Sequence, residues 1–167
     1  MIRPWALSTM LAAAASVASA ADLTVVFVNP ENFRDAAYSR AFPNDRDRAE
    51  VLRDVQQHLQ RLADRHLRPG DALRIEVLDI DLAGDFNPLR RGGADLRVLT
   101  DLTWPRMELR YTLSRDGQVI ASGQERISDM NYLVMARRNS GSDRFVYERP
   151  MLDDWFARRI VAVKEHG

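Results

Sequence analysis

The stretch LRIEVLDIDLAGDF, Leu73 to Phe86, decides how the rest of the chain is read. Apolar and β-branched residues alternate with charges and end at a glycine and an aspartate, where strands turn. In an extended chain Leu78, Ile80 and Leu82 fall on one side. Val77, Asp79 and Asp81 fall on the other, joined by Ile75. Apolar residues on both sides predict a central strand over Leu73 to Leu82, with Asp79 and Asp81 near its exit. Such a pair lies roughly 7 Å apart between Cα atoms, from the strand rise, close enough to share a cation or a proton. The plainer reading has them pairing with arginines or capping the next turn. A calcium loop does not fit. Asp79-x-Asp81 and Gly84 begin like an EF-hand, but Ala83 and Arg90 occupy the fifth and twelfth positions, where oxygen ligands are needed.

Upstream, Leu52, Val55, Leu59, Leu62 and His66 recur at spacings of three and four, widened by Ala63 and Leu67. This predicts an amphipathic helix from about Asp45 to Leu67, preceded by Pro43-Asn44 and stopped by Pro69-Gly70. His66 continues its buried stripe, and His58 lies off the stripe and toward solvent. Before it, LTVVFV (23–28) is a short strand ending at Asn29-Pro30. Strand, helix and strand together suggest a βαβ unit.

Downstream, residues 84–105 read mainly as loop, with RRGG (90–93) as a mobile tip and a short strand or helical turn within 96–102. RMELRYTLSRDGQVIASGQERI then gives a hairpin around Asp116-Gly117. A three-residue loop over Arg115 to Gly117 pairs Leu113 with Val119, Tyr111 with Ala121 and Leu109 with Gly123. It is preferred to a two-residue loop because it gathers Met107, Leu109, Tyr111, Leu113, Val119 and Ala121 on one face. The other face carries Arg106, Glu108, Arg110, Thr112, Gln124 and Arg126, which reads as a solvated surface or a dock for an anionic partner. An exposed loop spans Arg137 to Arg144. Pro150 opens a last helix, with Asp153 and Asp154 in its first turn and Leu152, Trp155, Phe156, Ile160 and Val163 buried. The fold class is therefore α+β: a small sheet of about four strands with two helices on one face, in the order β-α-β-β-β-α.

The first twenty residues stand apart. Arg3, an apolar run from Trp5 to about Val17, and Ala18-Ser19-Ala20 form a signal-peptide pattern with cleavage after Ala20. Residues 21–167 form a single domain, with no later stretch of membrane-spanning length. The expected location is the periplasm. With no cysteine, stability rests on packing without disulfides. The 24 basic and 24 acidic residues balance, which argues against nucleic acid as a partner. All the basic residues but Lys164 are arginine.

Catalytic chemistry is poorly served. No serine sits in a G-x-S-x-G elbow, and His58, His66 and His166 lack metal-ligand spacing. No phosphate loop or dinucleotide fingerprint is present, and no cofactor or metal is implied. Trp104, in TWP (103–105), and Tyr132, in DMNYL (129–133), lie in connecting segments, where aromatics are core plugs or binding anchors.

Five segments together, VFVNPENFRD (26–35), EVLDIDLAGDF (76–86), RVLTDLTWPRMELRY (97–111), ERISDMNYL (125–133) and RPMLDDWF (149–156), resemble the bacterial family known as domain of unknown function 3016. The resemblance spans nearly all of the chain after residue 20. It implies a small secreted protein of a Gram-negative bacterium with no assigned activity, so it carries over no functional residue.

The leading functional reading is a periplasmic, non-catalytic binding or envelope-accessory module for an unidentified protein or envelope component. Its candidate surface is Asp79, Asp81, Asp85, Asp95, Trp104, Asp129, Asn131 and Tyr132. The alternative is a metal- or carboxylate-dependent hydrolase of an envelope substrate, using Asp79 and Asp81.

Overall fold

The computed structural model describes residues 21–38, 44–86, 97–136 and 144–165. The signal-peptide pattern, the 90–93 tip, Asp95, most of the 137–144 loop and His166 lie outside these residues. In chain order the elements are β1 (Asp22–Phe27), a 3-10 turn (Pro30–Asn32), α1 (Asp45–His66), β2 (Asp71–Asp81), β3 (Asp85–Phe86) and β4 (Arg97–Val98). They continue with β5 (Arg106–Arg115), β6 (Gln118–Ser128), α2 (Tyr132–Ala136) and α3 (Arg149–Phe156). A π-helical turn (Ala157–Val161) then leads into α4 (Ala162–Glu165).

The main sheet has the order β1-β2-β5-β6. β1 runs parallel to β2, with α1 as the crossover, and the β2–β5 and β5–β6 pairs are antiparallel. β2 is therefore central, as its apolar content requires. β3 and β4 form a separate two-stranded ribbon beside its exit. The fold is the expected α+β sheet with helices on one face, with the β3–β4 ribbon and α2 added.

The two-sided character of β2 has a specific origin. Its pairing with β5 slips by one residue between Val77 and Asp79, making Leu78 the extra residue of a β-bulge. The bulge resets the alternation. Leu73, Ile75 and Val77 face the core before it, and Ile80 and Leu82 face the core after it, all at most 1% exposed. Asp79 and Asp81 therefore share the outer face with Arg74 and Glu76. Leu78, Ile80 and Leu82 do not lie on a face opposite Val77, as uninterrupted alternation requires.

The hairpin shows a second local adjustment. Asp116 and Gly117 both have positive φ, 49° and 81°, so the loop is the two-residue type whose twist matches that of the strands. Arg115 pairs with Gln118 and Ser114 with Val119. A bulge at Ile120 then lets Leu113 meet Ala121 and Tyr111 meet Gly123. The three-residue loop is corrected, and so is the placing of Val119, which faces outward and is 63% exposed. The outward set Arg106, Glu108, Arg110, Thr112, Gln124 and Arg126 stands. Its charges are internally matched: Arg110 bonds Glu76 at 2.8 Å and Gln124 at 3.0 Å, and Arg126 bonds Glu108 at 3.2 Å. Arg106, Arg110 and Arg126 on this face each have an acidic neighbour: Asp81, Glu76 and Glu108.

α1 begins at a capping box. Asn44 Oδ1 accepts the backbone N–H groups of Arg46 and Asp47 at 3.0 Å each, while Asp47 Oδ2 accepts that of Asn44 at 3.3 Å. Val51, Val55, Leu59 and Leu62 of α1, and Leu152, Trp155, Phe156 and Ile160 of the C-terminal helix, cover the inner face of the sheet. The Tyr111 and Trp155 rings meet edge to face at 5.7 Å. α3 begins at Arg149, so Asp153 and Asp154 fall after its first turn and Val163 is only half-buried.

The placing of His58 is corrected. His58 is 6% exposed and its Nε2 lies 2.8 Å from Asp153 Oδ1, because α3 packs against that flank of α1. Burial holds its pKa below the ordinary imidazole value, against the opposing pull of Asp153. His66 is half-buried, with its ring 5.9 Å from that of Phe156.

Candidate functional site

The exit of β2 gathers several charged side chains. After Phe33 the chain returns beside the strand. Asp35 donates its N–H to Ile80 O at 2.9 Å and accepts that of Leu82 at 3.2 Å. This brings Arg34 beside Asp79 and Asp81. Asp79 Oδ1 accepts the Arg34 backbone N–H at 2.8 Å. Asp81 lies between two guanidinium groups, with Arg34 Nη1 at 3.5 Å and Arg106 Nε at 3.3 Å. Burial raises the Asp81 carboxyl above the ordinary range, opposed by Arg106 and Arg34 and assisted by Asp35 and Asp79. The pair is thus engaged with arginine and backbone. Among the described residues no group of three or more His, Asp or Glu is arranged to hold a metal.

One expected result follows. Asp79→Ala leaves the Arg34 N–H without its acceptor and should lower stability by about 1 kcal/mol. Asp79→Asn, which keeps an acceptor oxygen, should cost less. Melting temperatures measured with and without millimolar Mg²⁺ or Ca²⁺ should be the same for wild type and both variants. A metal-dependent rise in the wild type alone would mark a cation site instead.

Of the other predicted surface residues, Asp85, Trp104, Asp129, Asn131 and Tyr132 are described. The Arg106 guanidinium stacks on Trp104 at 5.0 Å, which links Trp104 to Asp81. The Asp129 N–H donates to Pro105 O at 3.3 Å, and Asp129 Oδ1 accepts the N–H of Asn131 at 2.9 Å in a local turn. Asp85 is exposed on the β3–β4 ribbon. Tyr132 is 1% exposed, and its hydroxyl donates to Thr100 O at 2.7 Å. Its ring therefore plugs the core and offers no contact surface. Asp95 lies outside the described residues.

Behind this end opens a cleft of about 170 Å³, and the residues that make it were not singled out by sequence. Tyr38, Leu82, Leu99 and Tyr147 supply its apolar walls, and Arg97, Arg144 and Glu148 its charges. Arg97 is the organiser. Its Nη1 donates to Ala83 O at 3.1 Å and Gly84 O at 3.0 Å. The same guanidinium grips Asp35 through both terminal nitrogens, at 2.7 and 2.9 Å, and donates to Ala37 O. It also covers the Phe86 ring at 4.6 Å. Gly84 (φ +86°) is needed here, because a Cβ would come within 2.9 Å of Arg97 Cγ and Val98 O.

Glu148 precedes α3 and is 2% exposed. Its Oε1 accepts the Ala83 N–H at 2.9 Å. Its Oε2 is buried with no hydrogen-bond partner among the described residues, as is Arg97 Nε. Burial pushes the Glu148 carboxyl up to about 7. The N–H groups of Ala83 and Glu148 and the charge of Arg97 oppose the rise, and Asp35 adds to it. At the mouth, Arg144 stacks 5.2 Å from the Tyr38 ring and lies 3.5 Å from Glu50.

With this geometry in view, comparison with known proteins decides the family. The model of the family described as "Protein of unknown function (DUF3016)" matches residues 21–158. The chain belongs to the DUF3016 family. The match takes in β1 through α3, including the whole β2 exit and Glu148. No curated protein matches the chain. Among solved structures, the crystal structure of protein XCC0632 from Xanthomonas campestris, of the DUF330 family model, is a distant likeness. Its TM-score is 0.41 at 11% identity, covering 89% of this chain and 86% of that one. No helix among the described residues of this DUF3016 protein is long and apolar enough to cross a membrane.

Proposed function

We propose that this DUF3016 protein is an exported, periplasmic binding module without catalytic activity, which docks a protein of the cell envelope. The observation that carries the reading is a set of exposed apolar side chains on two hydrogen-bonded segments. Leu102, Met130 and Val134 are 73%, 66% and 63% exposed. They sit on two segments tied together by the Tyr132–Thr100 and Asp129–Pro105 hydrogen bonds. Large side chains left in water on adjoining segments are what a contact surface supplies. Trp104, with Arg106 stacked on it, stands in the same stretch and adds a residue pair enriched in binding hot spots. The signal-peptide pattern supports export. The hydrolase alternative needs Asp79 and Asp81 available to a cation or water, and their bonds to Arg34 and Arg106 favour a structural role.

The test is site-specific photo-crosslinking in cells expressing the full chain. A photoreactive side chain at position 102 or 130 should give one and the same adduct, while one at the exposed helix position 53 should give none. Absence of adducts, or equal labelling from position 53, would defeat the docking reading. Recovery of the protein from the cytoplasm with residues 1–20 still attached would defeat the location.

A further inference from the structure

We infer that the cleft between Arg97 and Glu148 binds a small monocarboxylate with an apolar body about the size of a benzene ring. The site is separate from the surface formed by Leu102, Met130 and Val134, and each can fail without the other.

The first argument is polar accounting. Buried polar atoms in folded proteins almost always have partners, and an exception needs a reason. Here two such atoms belong to residues lining one cleft: Glu148 Oε2 and Arg97 Nε. Arg97 Nε–H can only donate. Glu148 Oε1 is already an acceptor for Ala83, so in the protonated side chain Oε2 is free to carry the hydrogen and donate. Two donors without acceptors among the described residues call for a ligand group rich in acceptor lone pairs. A carboxylate has two oxygens able to accept from both donors, and charge-assisted bonds of this kind are the stronger class.

The second argument is charge. Asp35 balances Arg97 through two contacts. Arg144, 3.5 Å from Glu50 and with a side chain 58% exposed, is the more exposed of the two cations on the lining. Tyr38 and Tyr147 are the other polar side chains of the lining. A cationic ligand would meet Arg97 and Arg144, with Glu148 protonated.

The third argument is shape. The rest of the lining is Leu82, Ala83, Leu99 and the two tyrosines. A dry cavity of roughly 150 Å³ lined by leucine, isoleucine and phenylalanine accepts benzene. The ≈ 170 Å³ here leaves room for that body with its carboxylate turned toward Glu148. Ionising Glu148 would set two carboxylates face to face, so binding is coupled to proton retention.

The experiment is calorimetric titration of protein purified after expression of the full chain, using benzoate from pH 6 to pH 8.5, with benzylamine as the cationic counterpart. Benzoate is ionised throughout this range, so the pH profile reports the protein. Affinity should be constant toward pH 6 and fall about tenfold per pH unit above the Glu148 value of about 7, as the competent fraction shrinks. Benzylamine should not bind. Glu148→Gln keeps an N–H donor and cannot ionise, so benzoate should bind it with a flat pH profile, tighter than wild type at pH 8.5. No heat from millimolar benzoate at pH 6 would overturn the proposal. So would binding without pH dependence, preference for benzylamine, or loss of binding at every pH in a folded Glu148→Gln protein. If that variant fails to fold by circular dichroism, the wild-type profile and the benzylamine arm decide alone.

Discussion

Replacing Asp71 by alanine is expected to lower stability by about 3 kcal/mol, within the range for deleting one partner of a buried ion pair. Asp71 opens β2 and its side chain is fully buried. One carboxylate oxygen accepts Arg115 Nε at 3.0 Å, and the other accepts the Arg68 backbone N–H at 2.9 Å. The first bond ties β2 to the far end of β5. The second closes the turn that delivers α1 into the sheet. The Asp116 N–H donates to Gly70 O at 2.9 Å, locking the hairpin tip to the same turn. Alanine removes both acceptors together. The Arg115 side chain is 28% exposed and can turn partly to water, which holds the cost near the lower end of that range. Asp71→Asn keeps the acceptor for Arg68 and should lose about half as much. Urea unfolding curves with unchanged slopes would measure both. A loss below 1 kcal/mol for alanine would mean that the pair is replaceable by solvent.

Asp71 also shows what the sequence makes legible. α1 could be read because five apolar or aromatic positions repeat with the period of a helix, and Asn44 stands where a cap belongs. The β5–β6 hairpin could be read because Asp116-Gly117 interrupts two alternating runs. Both signals are local. The bulge at Leu78 was half-visible, since it left apolar residues on both apparent faces of β2, but its cause lies in pairing with β5. Asp71, His58 and Glu148 had no local mark at all. Each is buried by a partner far along the chain: Arg115 for Asp71, Asp153 for His58, and Ala83 for Glu148. Asp79 and Asp81 attracted notice because acidic residues beside a glycine resemble ligand loops. Arg34, which engages both, reaches them only because residues 33–35 fold back along the strand. Spacing along the chain exposes periodic elements. It does not expose a site assembled from four separate segments, as the Arg97–Glu148 cleft is.

The second large effect concerns Glu148 and has a defined sign. Its folded-state pKa, about 7, lies above the ordinary 4.5 expected once the chain unfolds. Below both values the side chain is protonated in either state and pH has no influence through it. Between them the unfolded chain releases its proton while the folded chain retains it, so stability falls as pH rises. Above about 7 both states are ionised and the penalty stays constant. The gap corresponds to about 3 kcal/mol at 1.36 kcal/mol per pKa unit. Glu148→Gln removes the titration while keeping an oxygen to accept the Ala83 N–H. Comparing the two proteins at each pH cancels most of the contribution of His58, which titrates in both. The stability of the glutamine variant relative to wild type should therefore rise by about 3 kcal/mol from pH 4 to pH 8, with most of the change between 4.5 and 7. Unfolding free energies of both proteins at half-unit pH intervals would trace the curve. A flat difference would mean that Glu148 ionises as freely in the folded protein as in the unfolded one. The carboxyl would then not be a proton-retaining group, and the coupling between proton and carboxylate ligand would lose its basis. A rise that follows the expected curve would show that the folded protein holds a neutral acid in that cleft up to about pH 7, the protonation state that the coupling to a carboxylate ligand requires.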